Sequence, residues 1–392
     1  MIKLRPHQER IVNRMSQSIK GQVIVPTGGG KTLCMIHDAQ RQFSEGYNTI
    51  VVVAPRILLA EQLSSEFLKV IDNAKVMHVH SGESDHFSTT KPQFICDWVM
   101  NNQVYGHNSL IFTTYHSLNR IQQSGIPVNT IYFDEAHNSV QRHFHPATRF
   151  FATTNNRRCF FFTATPHHSF TDEKPGMNNE EVYGKVIEQV PAPELVDAGY
   201  ILPPKVVVNQ CEMIKDRRIT CDDDADNILS SIDSQNVDKV LICARRTKQI
   251  VQLMSDSKLA TELYGRGYNW MYITAKTGAV INGIKVSREE FFKTLNAWGK
   301  EDDRKFIVMH HSILSEGINV IGLEAALFLR NMNFIDISQT IGRVIRKGDN
   351  DKKFGIVCVP VYDKVGISTS RNVQAVVDTI FDQGKPAVSV TS

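Results

Sequence analysis

The chain has 392 residues, 42% of them hydrophobic and 22% charged, which is enough for two domains that each bury a core and excludes a disordered or fibrous protein. Its formal net charge of +3 is too small to select a polyanionic partner, so any basic surface has to come from uneven placement of the charges. The seven cysteines are scattered and form no CxxC pair, so neither a disulfide framework nor a zinc site is suggested and free thiols in a reducing compartment are expected. No stretch approaches the roughly 20 apolar residues of a membrane span, and no apolar run follows Met1, so a cytoplasmic protein without a membrane partner is expected.

In chain order, Gln22–Val25, Thr49–Val53, Leu110–Phe112, Thr130–Phe133 and Arg158–Phe162 are short β-branched or aromatic runs and predict buried strands. Thr32–Gln42 and Leu58–Ile71 between them have the mixed polarity of crossover helices. Pro191, Pro193 and Pro203-Pro204 punctuate a less regular stretch, which predicts a linker at 191–204 between a first lobe, 1–190, and a second, 205–392. Strands recur in the second lobe at Lys205–Asn209, Val240–Ala244, Trp270–Thr274, Phe306–His310, Ala325–Leu329 and Phe354–Val359. The expected fold class is α/β, with two doubly wound parallel-sheet lobes. Asp222-Asp223-Asp224 reads as a solvated loop. The stretches 213–236 and 264–287 read as insertions without a recognisable role.

Chemistry concentrates at three places. Pro26-Thr27-Gly28-Gly29-Gly30-Lys31-Thr32 leaves a predicted strand and opens a predicted helix, where glycines let backbone N–H groups wrap phosphates and the helix N-terminus adds partial positive charge. Lys31 is expected to reach the β- and γ-phosphates and the Thr32 hydroxyl to bind Mg²⁺, although Val25 stands where the strict pattern has its first glycine. Asp134-Glu135-Ala136-His137 closes the strand Ile131-Tyr132-Phe133. Asp134 is expected to hold Mg²⁺ and Glu135 to polarise the attacking water as general base. Far downstream, Gln339-Thr340-Ile341-Gly342-Arg343-Val344-Ile345-Arg346 places two arginines three residues apart, expected on one helical face.

Together these residues resemble a superfamily 2 helicase or translocase of the DEAH-box kind, over nearly the whole chain. The resemblance implies RecA-like lobes with ATP bound in the cleft between them. It makes Gln8, about 20 residues ahead of the loop, the adenine-reading glutamine. Ala54-Pro55-Arg56 resembles motif Ia, Thr113-Thr114-Tyr115 motif Ib, Thr163-Ala164-Thr165 motif III, Ala244-Arg245-Arg246 motif IV and Ser315–Asn319, with Gly317, motif V. Arg56, Thr113, Thr114, Arg245 and Arg246 would then touch the phosphate backbone of one bound strand, without reading its sequence. The catalytic set implied is Lys31, Asp134, Glu135, Gln339, Arg343 and Arg346, with Pro26 through Thr32, Gln8 and Gly317 binding nucleotide.

The wording of motif VI is closer to DNA-acting repair, branch-migration and restriction-motor relatives, some compact and phage-encoded, than to RNA helicases. The expectation is an ATP- and Mg²⁺-dependent DNA helicase or translocase, monomeric, bacterial or phage-encoded. An RNA helicase and a non-hydrolysing nucleotide-gated clamp are the alternatives. The histidine pairs His78/His80, His143/His145 and His167-His168 have no accompanying ligand set in the sequence, and are expected to be polar surface or supporting groups.

Overall fold

The computed structural model describes residues 3–154, 157–171, 173–211, 220–274, 277–311, 322–329, 332–347, 352–362 and 367–391. The chain divides into two units, the first of residues 1–191 with 386–392 and the second of 192–385. The stretch expected as a linker holds the helix Ala192–Asp197, which belongs to the second unit. No helix among the described residues is long and apolar enough to cross a membrane. The described cysteines Cys34, Cys96, Cys159, Cys221, Cys243 and Cys358 are all free.

The strands of the first unit are β1 (Lys20–Ile24), β2 (Thr49–Ala54), β3 (Ala74–Val79), β4 (Asn108–Thr114), β5 (Thr130–Phe133), β6 (Arg158–Thr163), β7 (His167–Ser169) and β8 (Val186–Gln189). Seven of them make one sheet in the order β3-β4-β2-β5-β6-β1-β8, parallel throughout. The run Thr-Ile-Val-Val-Val-Ala of β2 is buried at every position, as expected of a strand covered by helices on both faces. Because all seven strands run one way, the carboxyl ends of β1, β2, β4, β5 and β6 share one edge of the sheet, the edge where open α/β sheets place their ligands.

Three helices matter to that edge: α1 (Pro6–Ser16), α2 (Lys31–Glu45) and α3 (Ile57–Phe67). Pro6 opens α1, where a missing N–H costs nothing and the fixed φ suits the helix. The buried face of α2 is Cys34, Met35, Ile36, Ala39 and Phe43, with one charged residue among them, Asp38. Arg158, at the start of β6, donates to Asp38 Oδ2 at 2.7 Å and to Oδ1 at 3.0 Å, and its second amino group also donates to the Met15 carbonyl of α1 at 2.9 Å. Tyr132 of β5 adds an O–H at 2.7 Å and Arg41 an N–H at 2.8 Å. One carboxylate thereby joins α1, α2, β5 and β6.

The second unit contains β9 (Pro204–Cys211), β10 (Lys239–Cys243), β11 (Asn269–Thr274), β12 (Gly278–Ile281), β13 (Ile284–Val286), β14 (Phe306–His310), β15 (Ala325–Phe328) and β16 (Gly355–Tyr362), ordered β13-β12-β11-β14-β10-β15-β16-β9. Six of these strands are parallel; β12 and β13 extend the β11 edge as an antiparallel hairpin, so the stretch read as an insertion at 264–287 is part of the sheet. The Asp222-Asp223-Asp224 run is not a loop. It forms the first turn of the helix Cys221–Gln235, where Thr220 and Asp223 make a capping box and acidic groups suit the helix dipole. Asp224 is buried against the Gln249 amide at 2.6 Å. The last strand, β17 (Ser389–Thr391), pairs in parallel with β7 and so belongs to the first unit.

Burial by itself would raise the Asp38 carboxyl, but the hydrogen bonds and charge of Arg158, with Tyr132 and Arg41, hold it below the ordinary carboxylate range. The sign follows: a depressed folded value contributes stability above the unfolded pKa of about 3.9, which is lost as pH falls through the folded value. Arg158→Met, which strands the buried carboxylate, is expected to cost about 3–5 kcal/mol in urea denaturation. The double variant Asp38→Leu with Arg158→Met should cost less than the sum of the two single changes. Strict additivity would mean that the pair does not act as a unit.

Candidate nucleotide-binding site

The loop after β1 turns through Gly28 at φ 88° and Gly30 at φ 80°, the left-handed region that residues with a Cβ rarely adopt. Gly30 is the N-cap of α2 and no side chain caps that helix, so its first-turn N–H groups face whatever the loop encloses. The loop is braced from behind by α1. His7 Nε2 donates to the Gly29 carbonyl at 2.8 Å, and the Gln8 amide donates to the Gly30 carbonyl at 3.3 Å. Gln8 is 2% exposed, and its carbonyl oxygen accepts the Arg5 N–H at 2.9 Å. The amide expected to read adenine therefore lies against the loop backbone, with both ends already bonded inside the protein.

Lys31 and Thr32 begin α2. The Lys31 ammonium lies 3.5 Å from Glu135 Oε1, with the two side chains only 10% and 18% exposed. Beside them Asp134 is buried at the end of β5, held by its N–H donating to the Val53 carbonyl at 2.8 Å and by its carbonyl accepting the Tyr115 hydroxyl at 2.9 Å. Burial, with the neighbouring Glu135 charge, pushes the Asp134 carboxyl up to about 7, and Lys31 pulls it the other way. Two carboxylates and one ammonium packed this closely fit a divalent cation, whose charge would relieve the repulsion between the acids.

Glu135 has φ 46° and ψ 53°, a left-handed conformation that costs a non-glycine residue of order 1 kcal/mol. It opens the 3₁₀ helix Ala136–Val140, whose first turn carries His137. His137 Nδ1 is 3.6 Å from Glu135 Oε2, 3.0 Å from the Thr163 hydroxyl and 3.3 Å from the Thr165 hydroxyl. Both threonines are fully buried, and the Thr165 N–H also donates to the Thr163 hydroxyl at 3.0 Å. The sequence reading gave His137 no role of its own. In the structure it is the link between the acidic pair and the end of β6, and its position two residues after Glu135 was the available signal.

The residues expected on a bound strand are placed unequally. Arg56 is the N-cap of α3, at the carboxyl edge of β2. Thr114 is buried at the end of β4, and Thr113 is buried with its hydroxyl donating to the Val79 carbonyl at 2.9 Å, inside the sheet and away from a surface. Arg245 and Arg246 are exposed after β10, the Arg245 guanidinium donating to the Leu329 carbonyl at 2.8 Å.

In the helix Phe334–Val344, Gln339 is half-buried and Arg343 is 5% exposed. Arg346 lies past the end of that helix and bridges to Ile201, so the two arginines do not share one helical face as their spacing suggested. The helix stops at Val344 because Ile345 and Arg346 turn into backbone pairing, with the Leu202 N–H donating to the Ile345 carbonyl at 2.7 Å. Gly317 and the rest of Ser315–Asn319 lie outside the described residues. The histidine pair His78 and His80 is buried, not surface, and Glu61 converges on it at 3.0 and 3.1 Å.

A Cβ added at Gly30 would come 2.2 Å from the Gln8 side-chain nitrogen. Gly30→Ala is therefore expected to lose about 1–3 kcal/mol of stability and to weaken nucleotide binding. Adding Gln8→Ala should restore only the part due to the clash, since the φ of Gly30 stays unfavourable for alanine. Full rescue in a denaturation cycle would contradict this division.

The family model described as Type III restriction enzyme, res subunit, matches residues 1–168. No curated protein matches the chain. Among solved structures, the ATP-dependent Type ISP restriction-modification enzyme LlaBIII bound to DNA is similar over 100% of this chain and 32% of its own, at a TM-score of 0.74 and 18% identity. A nuclease-deletion mutant of the Type ISP enzyme LlaGI, in complex with a DNA substrate mimic, is similar over 99% of this chain and 30% of its own, at 0.67 and 19%. Mss116p bound to ssRNA and AMP-PNP is similar over 99% of this chain and 74% of its own, at 0.65 and 15%. The chain spans about a third of the length of the two restriction-modification enzymes. Its two α/β sheets are of the RecA-like kind, and its first 168 residues match the family described as Type III restriction enzyme, res subunit.

Proposed function

We propose that the protein is an ATP-dependent DNA translocase or helicase, a nucleic-acid-stimulated ATPase whose two units act as lobes closing on the nucleotide. The observation that carries this reading is the Lys31–Glu135 pair at 3.5 Å beside buried Asp134, at the end of the strand that faces the phosphate loop. When ATP binds, its phosphates take over Lys31, which frees Glu135 to accept a proton from the attacking water. Asp134 and Thr32 would hold Mg²⁺, which neutralises charge on the phosphate oxygens. Gly28 and Gly30 would supply backbone N–H groups to those oxygens, and Gly29 would do so by exchanging its bond to the Pro26 carbonyl, with Pro26 and Thr27 shaping the turn. Gln8 would meet adenine by exchanging its present bonds to the loop, and Gly317 would lie against the nucleotide from the second lobe.

Arg343 and Arg346, with Gln339, complete the catalytic set from the second lobe, so hydrolysis would require a closed cleft. Closure has to be favoured by ATP over ADP for the cycle to have a direction. His137 gives this coupling a physical path, because any displacement of Glu135 moves a group bonded to Thr163 and Thr165. Arg56, Arg245 and Arg246 would grip the backbone of one strand, with Thr114, and with Thr113 only through its place in β4. Such grips carry no base information, so binding is expected to be salt-dependent and indifferent to sequence.

DNA is preferred over RNA on the wording of Gln339–Arg346 and on the two DNA-bound structural relatives. The relative bound to ssRNA supports the second reading, an RNA helicase. The free thiols fit a reducing cytoplasm, and a monomer is the simplest working unit, with residues 191–204 as the junction between the lobes.

ATP turnover should rise on adding DNA. Lys31→Ala and Glu135→Gln should each lower it by about 10²-fold or more, with Glu135→Gln still binding nucleotide. Arg346→Ala should cost about 10³-fold or more, as an arginine finger does. Absence of turnover on every DNA and RNA would replace the motor with a nucleotide-gated clamp, and stronger stimulation by RNA would favour the second reading. Arg245→Ala and Arg246→Ala should each reduce the slope of log binding constant against log salt by about 0.7–0.9. An unchanged slope removes those arginines from the interface.

A further inference from the structure

Away from the nucleotide site, three donor atoms meet beneath α3. Glu61 Oε1 is 3.0 Å from His78 Nδ1 and 3.1 Å from His80 Nε2, and the two ring nitrogens are 3.1 Å apart. His78 lies in β3 and His80 just past its end, so their alternation sends both rings to one side. Glu61 comes from α3 packed above them. Both histidines are buried and the Glu61 side chain is 30% exposed.

Protons alone serve this triangle poorly. Two nitrogens 3.1 Å apart have room for one hydrogen between them, and Glu61 Oε1 meets both rings at 3.0 and 3.1 Å but at angles poor for a hydrogen bond to either. A single cation facing the triangle would satisfy all three lone pairs at once. With bonds of roughly 2.0–2.2 Å, donors 3.0–3.1 Å apart subtend roughly 86–102° at the metal, a capping triangle whose open side leaves room for water. The far nitrogen of His78, Nε2, is 3.0 Å from the buried hydroxyl of Ser64, one turn along α3 from Glu61. This is the outer-shell hydrogen bond that fixes the tautomer of a ligating imidazole.

We infer that Glu61, His78 and His80 form a transition-metal site, with two imidazoles and one carboxylate suited to zinc. The metal fastens α3 to β3. Arg56 caps the same helix, so the clasp also sets the helix that carries it.

The test uses the full chain, stripped with a chelator and then titrated with Zn²⁺ alone and with Co²⁺ alone. One equivalent should bind, Co²⁺ should give visible bands that saturate at that equivalent, and Zn²⁺ should raise the melting temperature. Glu61→Gln and His80→Gln, checked for folding by circular dichroism, should bind at least tenfold more weakly and lose the thermal shift. X-ray absorption of the zinc-loaded wild-type chain should show nitrogen and oxygen donors only, which decides the matter even if a variant does not fold. Failure to retain zinc, sulfur in the first shell, or wild-type affinity in a folded His80→Gln variant would each overturn the site.

Discussion

The Asp38 carboxylate, on the helix that follows the phosphate loop, is the constraint on which the first unit depends. It is the one acidic group on the buried face of α2, and it is tolerated because four donors converge on it from Arg158, Tyr132 and Arg41. Those donors fix α2 against β5 and β6, and Arg158 extends the bracing to α1 through the Met15 carbonyl. Lys31 begins the helix so held, Asp134 and Glu135 follow β5, Thr163 ends β6, and Gln8 lies on α1. A buried ion pair is a weak source of net stability, but it penalises every other arrangement of the four elements. Its value here is positional.

At the carboxyl edge of the same sheet, two adjacent acids share the nearby Lys31 ammonium. Asp134 and Glu135 are adjacent acids with one ammonium 3.5 Å from Glu135, Glu135 sits in a strained backbone conformation, and His137 connects it to two buried hydroxyls. Each of these features is unfavourable or indifferent in isolation. Together they make an arrangement whose energy changes when a polyanion and its counter-cation arrive. That sensitivity is what the proposed ATP-driven cycle would need, and it complements a fold whose parallel strands bring five loop origins to one edge.

Much of this was legible in the sequence because it is local. A glycine-rich turn between a strand and a helix, and an acidic pair closing an apolar strand, declare themselves within a dozen residues. The central strands were legible for the same reason, since β2 is β-branched and buried along its length. What failed to show was set by partners distant in the chain. Ala74–Val79 carries Lys75 and His78 and lacks a clean apolar run, yet it is a sheet edge strand with a buried half. The hairpin of β12 and β13 is short and mixed in polarity, and only its pairing to β11 makes it structure. The three aspartates at 222–224 looked solvated because a capping box competes with a loop on nearly equal local terms. Arg343 and Arg346 looked coplanar on a helix that in fact ends between them, where tertiary pairing to Ile201 wins over helical continuation. Glu61 lies 17 and 19 residues before the two histidines it meets, a separation no ligand-spacing rule would flag.

The pairing of β17 with β7 has a bearing on how the protein is made. Residues 389–391 complete a sheet that begins at residue 167, so the chain leaves the first unit, builds the second and then returns. During synthesis the seven-stranded sheet can assemble as soon as β8 has emerged, while β7 waits some two hundred residues for its partner. The second unit therefore emerges tied to the first at its amino end alone, and its carboxyl end is tied only when β17 pairs, so its assembly is nested within that of its neighbour. A cut at the 191/192 junction would leave the two units joined through that strand pair, held by hydrogen bonds where the peptide bond had been.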